Sequence, residues 1–236
     1  MSGWGIKQER EFEKMITSLE KDGCVIVPDI FSSDEINKMR KISLNYFKNG
    51  GGFSNSGGFA KPDWIRDENL KELLDLYDMD RVGKLVKSYV GEPVEFAEHN
   101  DLHLNRSVGW HKDRLNGPAR KFEINSPWED IDGQTMKIYK VNLYLQDHTK
   151  GNDGLTIRSG SHKYPQINKG IVRQLKPSLG DLIIFDQRIS HKASWSGGYE
   201  RLLICVGFGV KNIFFDQFKK GTKFRQDKQN EKIYFR

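Results

Sequence analysis

From residue 93 the chain is written as short apolar or alternating runs, broken about every ten residues by Gly, Asn, Asp and Pro. No other feature restricts its fold so sharply. The run PVEFAEHNDLHLN (93–105) alternates: Phe96, Leu102 and Leu104 fall on one parity, His99, Asp101, His103 and Asn105 on the other. Successive side chains of a strand point to opposite faces. This strand therefore has one apolar face and one polar face, and the polar face must meet water or line a polar cavity. IYKVNLYLQD (138–147), GLTIRSGS (154–161), IVRQLKP (171–177), DLIIFD (181–186) and RLLICVGFGV (201–210) read as further strands, about eight in all. On 138–147, Lys140, Asn142, Tyr144 and Gln146 share a parity.

The first ninety residues follow the helical period instead. Phe12, Met15, Ile16 and Leu19 form a stripe that predicts a helix over 7–22, ended by Gly23 and followed by a short buried strand in CVIVPDIF. Ser32 with Glu35 three residues later marks a helix start, with Ile36, Met39, Ile42 and Phe47 at helical spacing behind it. NGGGFSNSGGF (49–59) lacks the Lys-Ser/Thr ending of a phosphate loop and reads as a mobile loop able to serve as a lid. Another helix is expected over about 67–90. Helices first and strands after suggest a β-sandwich of the jelly-roll or double-stranded β-helix type, with helices against one sheet. We expect one domain across 1–236: a helical part at about 7–90, a jelly-roll core at about 93–210 and a tail at 211–236.

Composition bounds the partners. No stretch approaches the roughly 20 apolar residues of a membrane span, and MSGWGIKQEREFEK has no apolar run to act as a secretory signal. Cys24 and Cys205 lie in apolar runs without a second Cys at zinc spacing, and read as small buried thiols. A reducing, cytoplasmic setting is the expectation. The formal charge of +6 is spread along the chain, with one cluster in FKKGTKFRQDKQNEK and no nucleic-acid motif beside it. It reads as a lysine-rich surface with some attraction for an anionic small-molecule substrate. Neither membrane nor nucleic acid is expected as a partner, and the sequence does not decide the oligomeric state.

Three residues carry the chemistry: His111 and Asp113 in GWHKD, and His191 in QRISHKAS. Two imidazoles and one carboxylate on one face of an octahedral ion leave three positions open, which suits Fe(II) that must hold a cosubstrate and O₂ together. His111 and Asp113 point the same way on an extended chain. His-x-Asp alone is weak, since His99-Asn100-Asp101 is a second instance, and unrelated surface residues would give the same pattern.

The surroundings are more specific. DGCVIVPDIFSSDEINKMRK, GWHKD, VNLYLQDHTKGNDGLTIRSGSHK and SLGDLIIFDQRISHKASWSGGYERLLI follow one another over residues 20–210. In that order the chain resembles the phytanoyl-CoA dioxygenase-like family of Fe(II)/2-oxoglutarate oxygenases. The resemblance selects His111-Lys112-Asp113, which alone has the preceding Trp110. It implies a catalytic iron held by His111, Asp113 and His191. It also implies 2-oxoglutarate and O₂ as cosubstrates, and Arg201 on the distal carboxylate of 2-oxoglutarate, a fit for a guanidinium fork. His103 and Asn142, on cavity-facing parities, are the further candidate contacts. His162 is expected to cap its turn, its family counterpart not being a ligand. Ser159 replaces the family's proline in Pro-Gly-Ser-His, and Ala193 stands where many members carry Ser or Thr. The retained Asp113 implies hydroxylation or a related oxidation with release of succinate and CO₂, and the polar parities of 96–105 and 138–147 point to a small polar metabolite as substrate (sugar-like, amino-acid-like or phosphate-bearing). The insert 113–135 is expected to close over that substrate. The alternatives are a jelly-roll isomerase or hydrolase using another metal, a binding jelly roll without catalysis, and an oxygenase of a macromolecule.

Overall fold

A computed structural model describes residues 3–124, 126–151 and 153–234, with side chains between residues 12 and 231. The helical stripe predicted at 7–22 folds as α1 (Gly3–Asp22), followed by β1 (Cys24–Val27) and α2 (Ser33–Lys48). At the start of α2 the Ser32 side chain accepts from the Glu35 amide, and the Glu35 carboxylate accepts from the Ser32 amide. This capping box satisfies donors that a helix start leaves orphaned.

Two expectations need correction. The glycine-rich stretch is not a loop: it folds as a hairpin of β2 (Phe53–Asn55) and β3 (Gly58–Pro62). Ser56 and Gly57 both have positive φ (52° and 78°), the backbone of a two-residue hairpin turn, and Gly supplies it at no steric cost. The helix expected over 67–90 is broken into α3 (Lys71–Tyr77) and α4 (Met79–Val90). Asp78 between them is left-handed (φ 48°), and its carboxylate caps α4 by accepting from the Arg81 amide.

The rest of the chain gives β4 (Glu95–Leu104), β5 (Val108–His111), β6 (Ile138–Tyr144), β7 (Gly154–Ser159), β8 (Ile171–Gln174), β9 (Leu182–Asp186), β10 (His191–Ser194), β11 (Leu202–Gly209) and α5 (Ile213–Tyr234). Two antiparallel sheets result, ordered β1-β9-β6-β11-β4-β3-β2 and β5-β10-β7-β8. This is the expected jelly roll.

Helices α1 to α4 cover the outer face of the large sheet. Leu102, Val141, Ile184 and Ile204 are fully buried there among Trp64, Leu73, Tyr77 and Val86. Each such side chain contributes about 1.5–3 kcal/mol. Leu155 and Ile157 of the small sheet pack on Tyr144, Ile183 and Leu203 of the large one, closing one end of the sandwich. The alternation read in 93–105 holds as far as Leu104, the end of β4. β4 bulges at Glu98 (φ 62°), and Phe96 to Asn100 lie opposite only Phe208 to Val206. The bulge inserts an even number of residues, so Phe96, Leu102 and Leu104 face the helices while His99, Asp101 and His103 face inward.

The tail at 211–236, given no structure from sequence, contains α5. Phe214, Phe215 and Phe218 clamp it onto Ala97, Ile138 and Leu115. Gln226 donates to the Asn100 carbonyl at 2.9 Å. Among the described residues, no helix is long and apolar enough to cross a membrane.

Gly58 is the tightest point of the hairpin, because a Cβ there would meet the Leu104 carbonyl oxygen at 2.1 Å. Gly58→Val is expected to destabilise the protein by about 2–3 kcal/mol, as forced backbone shifts do. Urea unfolding checks this, and an unchanged midpoint would show that β3 is free to move off β4.

Candidate metal centre

The pairing of β10 with β5 sets His191 directly opposite His111, and β7 braces β10 from its other side. Asp113 follows two residues after the end of β5. Its Oδ1 lies 3.4 Å from His111 Nε2 and its Oδ2 lies 3.4 Å from His191 Nε2. His111 Nδ1 is 2.7 Å from the Gly109 carbonyl oxygen, and His191 Nδ1 is 3.1 Å from that of Ile189. A carbonyl only accepts, so each Nδ1 carries the proton and each Nε2 turns a lone pair inward. The three ligand atoms lie within 4.8 Å of one another. Two neutral imidazoles and a carboxylate so arranged fit a divalent metal of the iron type.

The electrostatics favour the ligating states of Asp113 and His191 and oppose that of His111. Burial would raise the Asp113 pKa, but Lys140, His191 and His111 together bring it well below the usual carboxylate range. Lys140 Nζ, itself buried, lies 2.8 Å from Asp113 Oδ2. Burial pushes His191 down to about 4, with Asp113 opposing. Burial would also lower His111, but its hydrogen bond to Asp113 and that group's charge raise it.

The second His-x-Asp is occupied otherwise. His99 Nε2 is 3.3 Å from Asp101 Oδ2, but Arg225 Nη2 lies 2.9 Å from His99 Nδ1 and 3.6 Å from Asp101. A guanidinium there excludes a cation. Among the described residues, His111, Asp113 and His191 are the group able to hold a metal. Cys205 also lines the cavity, and burial pushes its thiol up to about 12, so it is no thiolate ligand.

The triad opens into a cavity of about 440 Å³ also lined by the other predicted residues, His103, Asn142 and Arg201, together with Lys140 and Tyr144. Arg201 is 1% exposed. Its guanidinium donates to the Arg106 carbonyl (2.5 Å) and the Tyr144 hydroxyl (3.2 Å), and its Nε has no partner. No carboxylate among the described residues lies within ion-pair distance of it. Asn142 Oδ1 is likewise buried without a partner. Two inward-facing assignments fail. Asn105 accepts from the Arg201 amide at 2.7 Å, and Gln146 accepts from Arg40 and the Leu202 amide, so both brace strand ends outside the cavity. His162 is structural but does not cap its own turn: its ring packs on Gly23 and lies 3.1 Å from the Glu20 carbonyl at the end of α1.

Sequence reasoning missed Arg106, Arg225 and Gln229, which also line the cavity. The last two come from α5, in a stretch that reads as a solvated basic cluster. Their signal was the spacing of Phe218, Thr222, Gln226 and Gln229, one helical face written mostly in polar residues.

No family model matches the chain, and no curated protein matches its sequence. Solved structures do. AviO1 from Streptomyces viridochromogenes Tue57 is 19% identical with a TM-score of 0.65, over 84% of this chain and 94% of that one. The epimerase SnoN from nogalamycin biosynthesis, in complex with Fe³⁺, alpha-ketoglutarate and nogalamycin RO, is 14% identical with a TM-score of 0.66, over 85% and 84%. HygX from Streptomyces hygroscopicus, with nickel and 2-oxoglutarate bound, is 16% identical with a TM-score of 0.61, over 84% and 87%. The chain shares the fold of these proteins.

Metal uptake must displace the proton of His111, whose pKa lies above the ordinary value of 6.5, whereas His191 at about 4 is already neutral. Affinity for Mn(II) is therefore expected to be full above the His111 pKa. Below it, affinity should fall about tenfold per pH unit, the slope of one competing proton. Calorimetric titration across neutral pH checks this, and a fall beginning only near pH 4 would remove His111 from the ligand set.

Proposed function

We propose that this chain is an Fe(II)- and 2-oxoglutarate-dependent oxygenase that hydroxylates a small polar metabolite. One observation carries the reading: a tautomer-locked His-Asp-His cluster opens into the same cavity as a buried arginine with no carboxylate partner. A buried guanidinium without a counter-charge is costly, so its natural occupant is an anion from outside the chain. The iron and nickel, and the 2-oxoglutarate, named with SnoN and HygX support the same pair of cofactors here. The order of motifs supports the phytanoyl-CoA dioxygenase-like branch. Cys24 and Cys205, both buried and free, support a reducing compartment such as the cytoplasm.

His111, Asp113 and His191 would hold the metal through Nε2, carboxylate and Nε2. Lys140 keeps Asp113 ionised and tethers one of its oxygens. Arg201 would take the distal carboxylate of 2-oxoglutarate, with the Tyr144 hydroxyl and Asn142 amide beside it. With both bound, the site supplies oxidation by O₂, with succinate and CO₂ as coproducts. Phe53 and Asn55 of the hairpin, with Asn116 of the insert, line the same cavity and would limit access of water. SnoN, an epimerase on this fold, favours a second outcome, inversion of a carbon centre. Mass spectrometry of the product separates the two, because hydroxylation adds an oxygen and epimerisation leaves the mass unchanged.

His111→Ala, Asp113→Ala and His191→Ala are each expected to abolish 2-oxoglutarate-dependent succinate release. Arg201→Ala should leave metal binding intact and raise the KM for 2-oxoglutarate by about a hundredfold, the loss of roughly 3 kcal/mol from an unpaired buried charge. Succinate release that survives loss of a triad residue would overturn the assignment, and an unchanged KM would move the carboxylate contact away from Arg201.

A further inference from the structure

The inward wall of the large sheet carries more positive charge than the proposed chemistry uses. Lys140, Arg106, Arg201 and Arg225 face two carboxylates, Asp101 and Asp113. Lys140 is taken by Asp113, and Arg201 is reserved for the cosubstrate. Arg106 and Arg225 are left with Asp101 alone, one positive charge in excess. The neighbouring imidazoles do not change the balance. Arg225 donates to His99 Nδ1 at 2.9 Å and Arg106 donates to His103 Nε2 at 2.8 Å. Burial first, and then the surrounding cations, hold both rings neutral.

The hydrogen-bonding capacity is also incomplete. Arg106 Nε and Arg225 Nε, both donors, are buried with no partner. Arg225 and Gln229 come from one face of α5, which crosses the inward side of β4 where Ala97 packs on Phe218. The helix thus delivers a guanidinium and an amide to a cavity that the two sheets would otherwise form alone. The remaining cavity cations are engaged elsewhere: Lys112 donates to the carbonyls of Ser161 and Arg188, and Arg114 pairs with Glu123.

We propose that Arg225, with Arg106 and Gln229, forms a substrate subsite for an oxyanion, a carboxylate or a phosphate, so that the oxidised metabolite is an anion held at this end of the cavity. This rests on the oxygenase reading. The competing reading is structural, in which Arg225 only ties α5 to His99 and Asp101.

The test loads the protein with Mn(II) and 2-oxoglutarate, then titrates inorganic phosphate and, separately, acetate by calorimetry. One of the two should bind, and which one binds identifies the oxyanion. Arg225→Gln is expected to weaken it at least about tenfold, the cost of one charged hydrogen bond, and Arg225→Lys less. 2-Oxoglutarate affinity should stay within about twofold in both variants, since Arg201 is untouched. Lys223→Gln, on the exposed face of the same helix, should change nothing. The subsite is overturned if neither anion binds the wild type, if Arg225→Gln binds as tightly as wild type, or if the variant loses 2-oxoglutarate along with the anion, as a structural clamp would. Failure to load Mn(II) and 2-oxoglutarate sinks the oxygenase reading instead. Phosphate titrated into unloaded wild type and Arg225→Gln still reads the subsite, which stands if only the wild type binds.

Discussion

Everything at the candidate site depends on one antiparallel contact, the pairing of β10 with β5 that sets His191 opposite His111. Directly paired residues bring their Cβ atoms to about 4.5–5.5 Å, close enough for two imidazoles to share an ion. Each histidine is oriented by the carbonyl two residues before it, Gly109 within β5 for His111 and Ile189 in the buried turn before β10 for His191. Ligand and orienter thus lie two residues apart on one stretch of backbone, which turns each nitrogen lone pair inward. Asp113 lies outside this pairing, and Lys140 from the opposite sheet fixes it, so both sheets take part in closing the triad.

The large sheet makes this possible by keeping its faces chemically distinct. Leu102, Val141, Ile184 and Ile204 bury themselves under the helices, and that apolar contact holds the strands in register. A slip of one residue would drive His99, Asp101 and His103 into the helix layer and expose Leu102 to the cavity. The bulge at Glu98 is tolerated because it inserts an even number of residues. The polar face is then free to carry charges that a core could not hold.

The parts of this design that follow simple periods were legible in the sequence. Two-residue alternation identified the inward residues of β4, and three-to-four-residue stripes placed α1 and α2. His111, Asp113 and His191 were legible only with their neighbours, since His99-x-Asp101 shows the same spacing and differs by what surrounds it, here the guanidinium of Arg225. Long-range tertiary choices were not legible. Asp78 breaks a helix because its carboxylate caps the next one, a local competition that an apolar stripe does not reveal. The hairpin at 53–62 hides in a glycine-rich stretch because Gly58 is selected by the approach of the Leu104 carbonyl, not by propensity. Asn105 and Gln146 share the inward parity, but each lies beyond the last residue of its strand, where alternation no longer sets direction.

Helix α5 shows most clearly why composition misled. Its buried face past Phe218 is written with Gly221, Thr222 and Gln226. Gly221 is there because a Cβ would meet Leu115 at 2.3 Å, and Gln226 because the Asn100 carbonyl needs a donor. A helix held by close approach and hydrogen bonds carries no apolar stripe along that length, so its basic residues look like a solvated surface. The consequence reaches the site itself. Residues that hold a metal must be placed to within fractions of an ångström, and here the two candidate histidines stand on paired strands. Residues that select a substrate can come from any element that reaches the cavity. In this chain α5, together with the turn after β4, brings in Arg225, Gln229 and Arg106. The strand framework is what this chain shares in shape with structures of low sequence identity, whereas a charge delivered by a helix laid across it can change without disturbing a single strand pair.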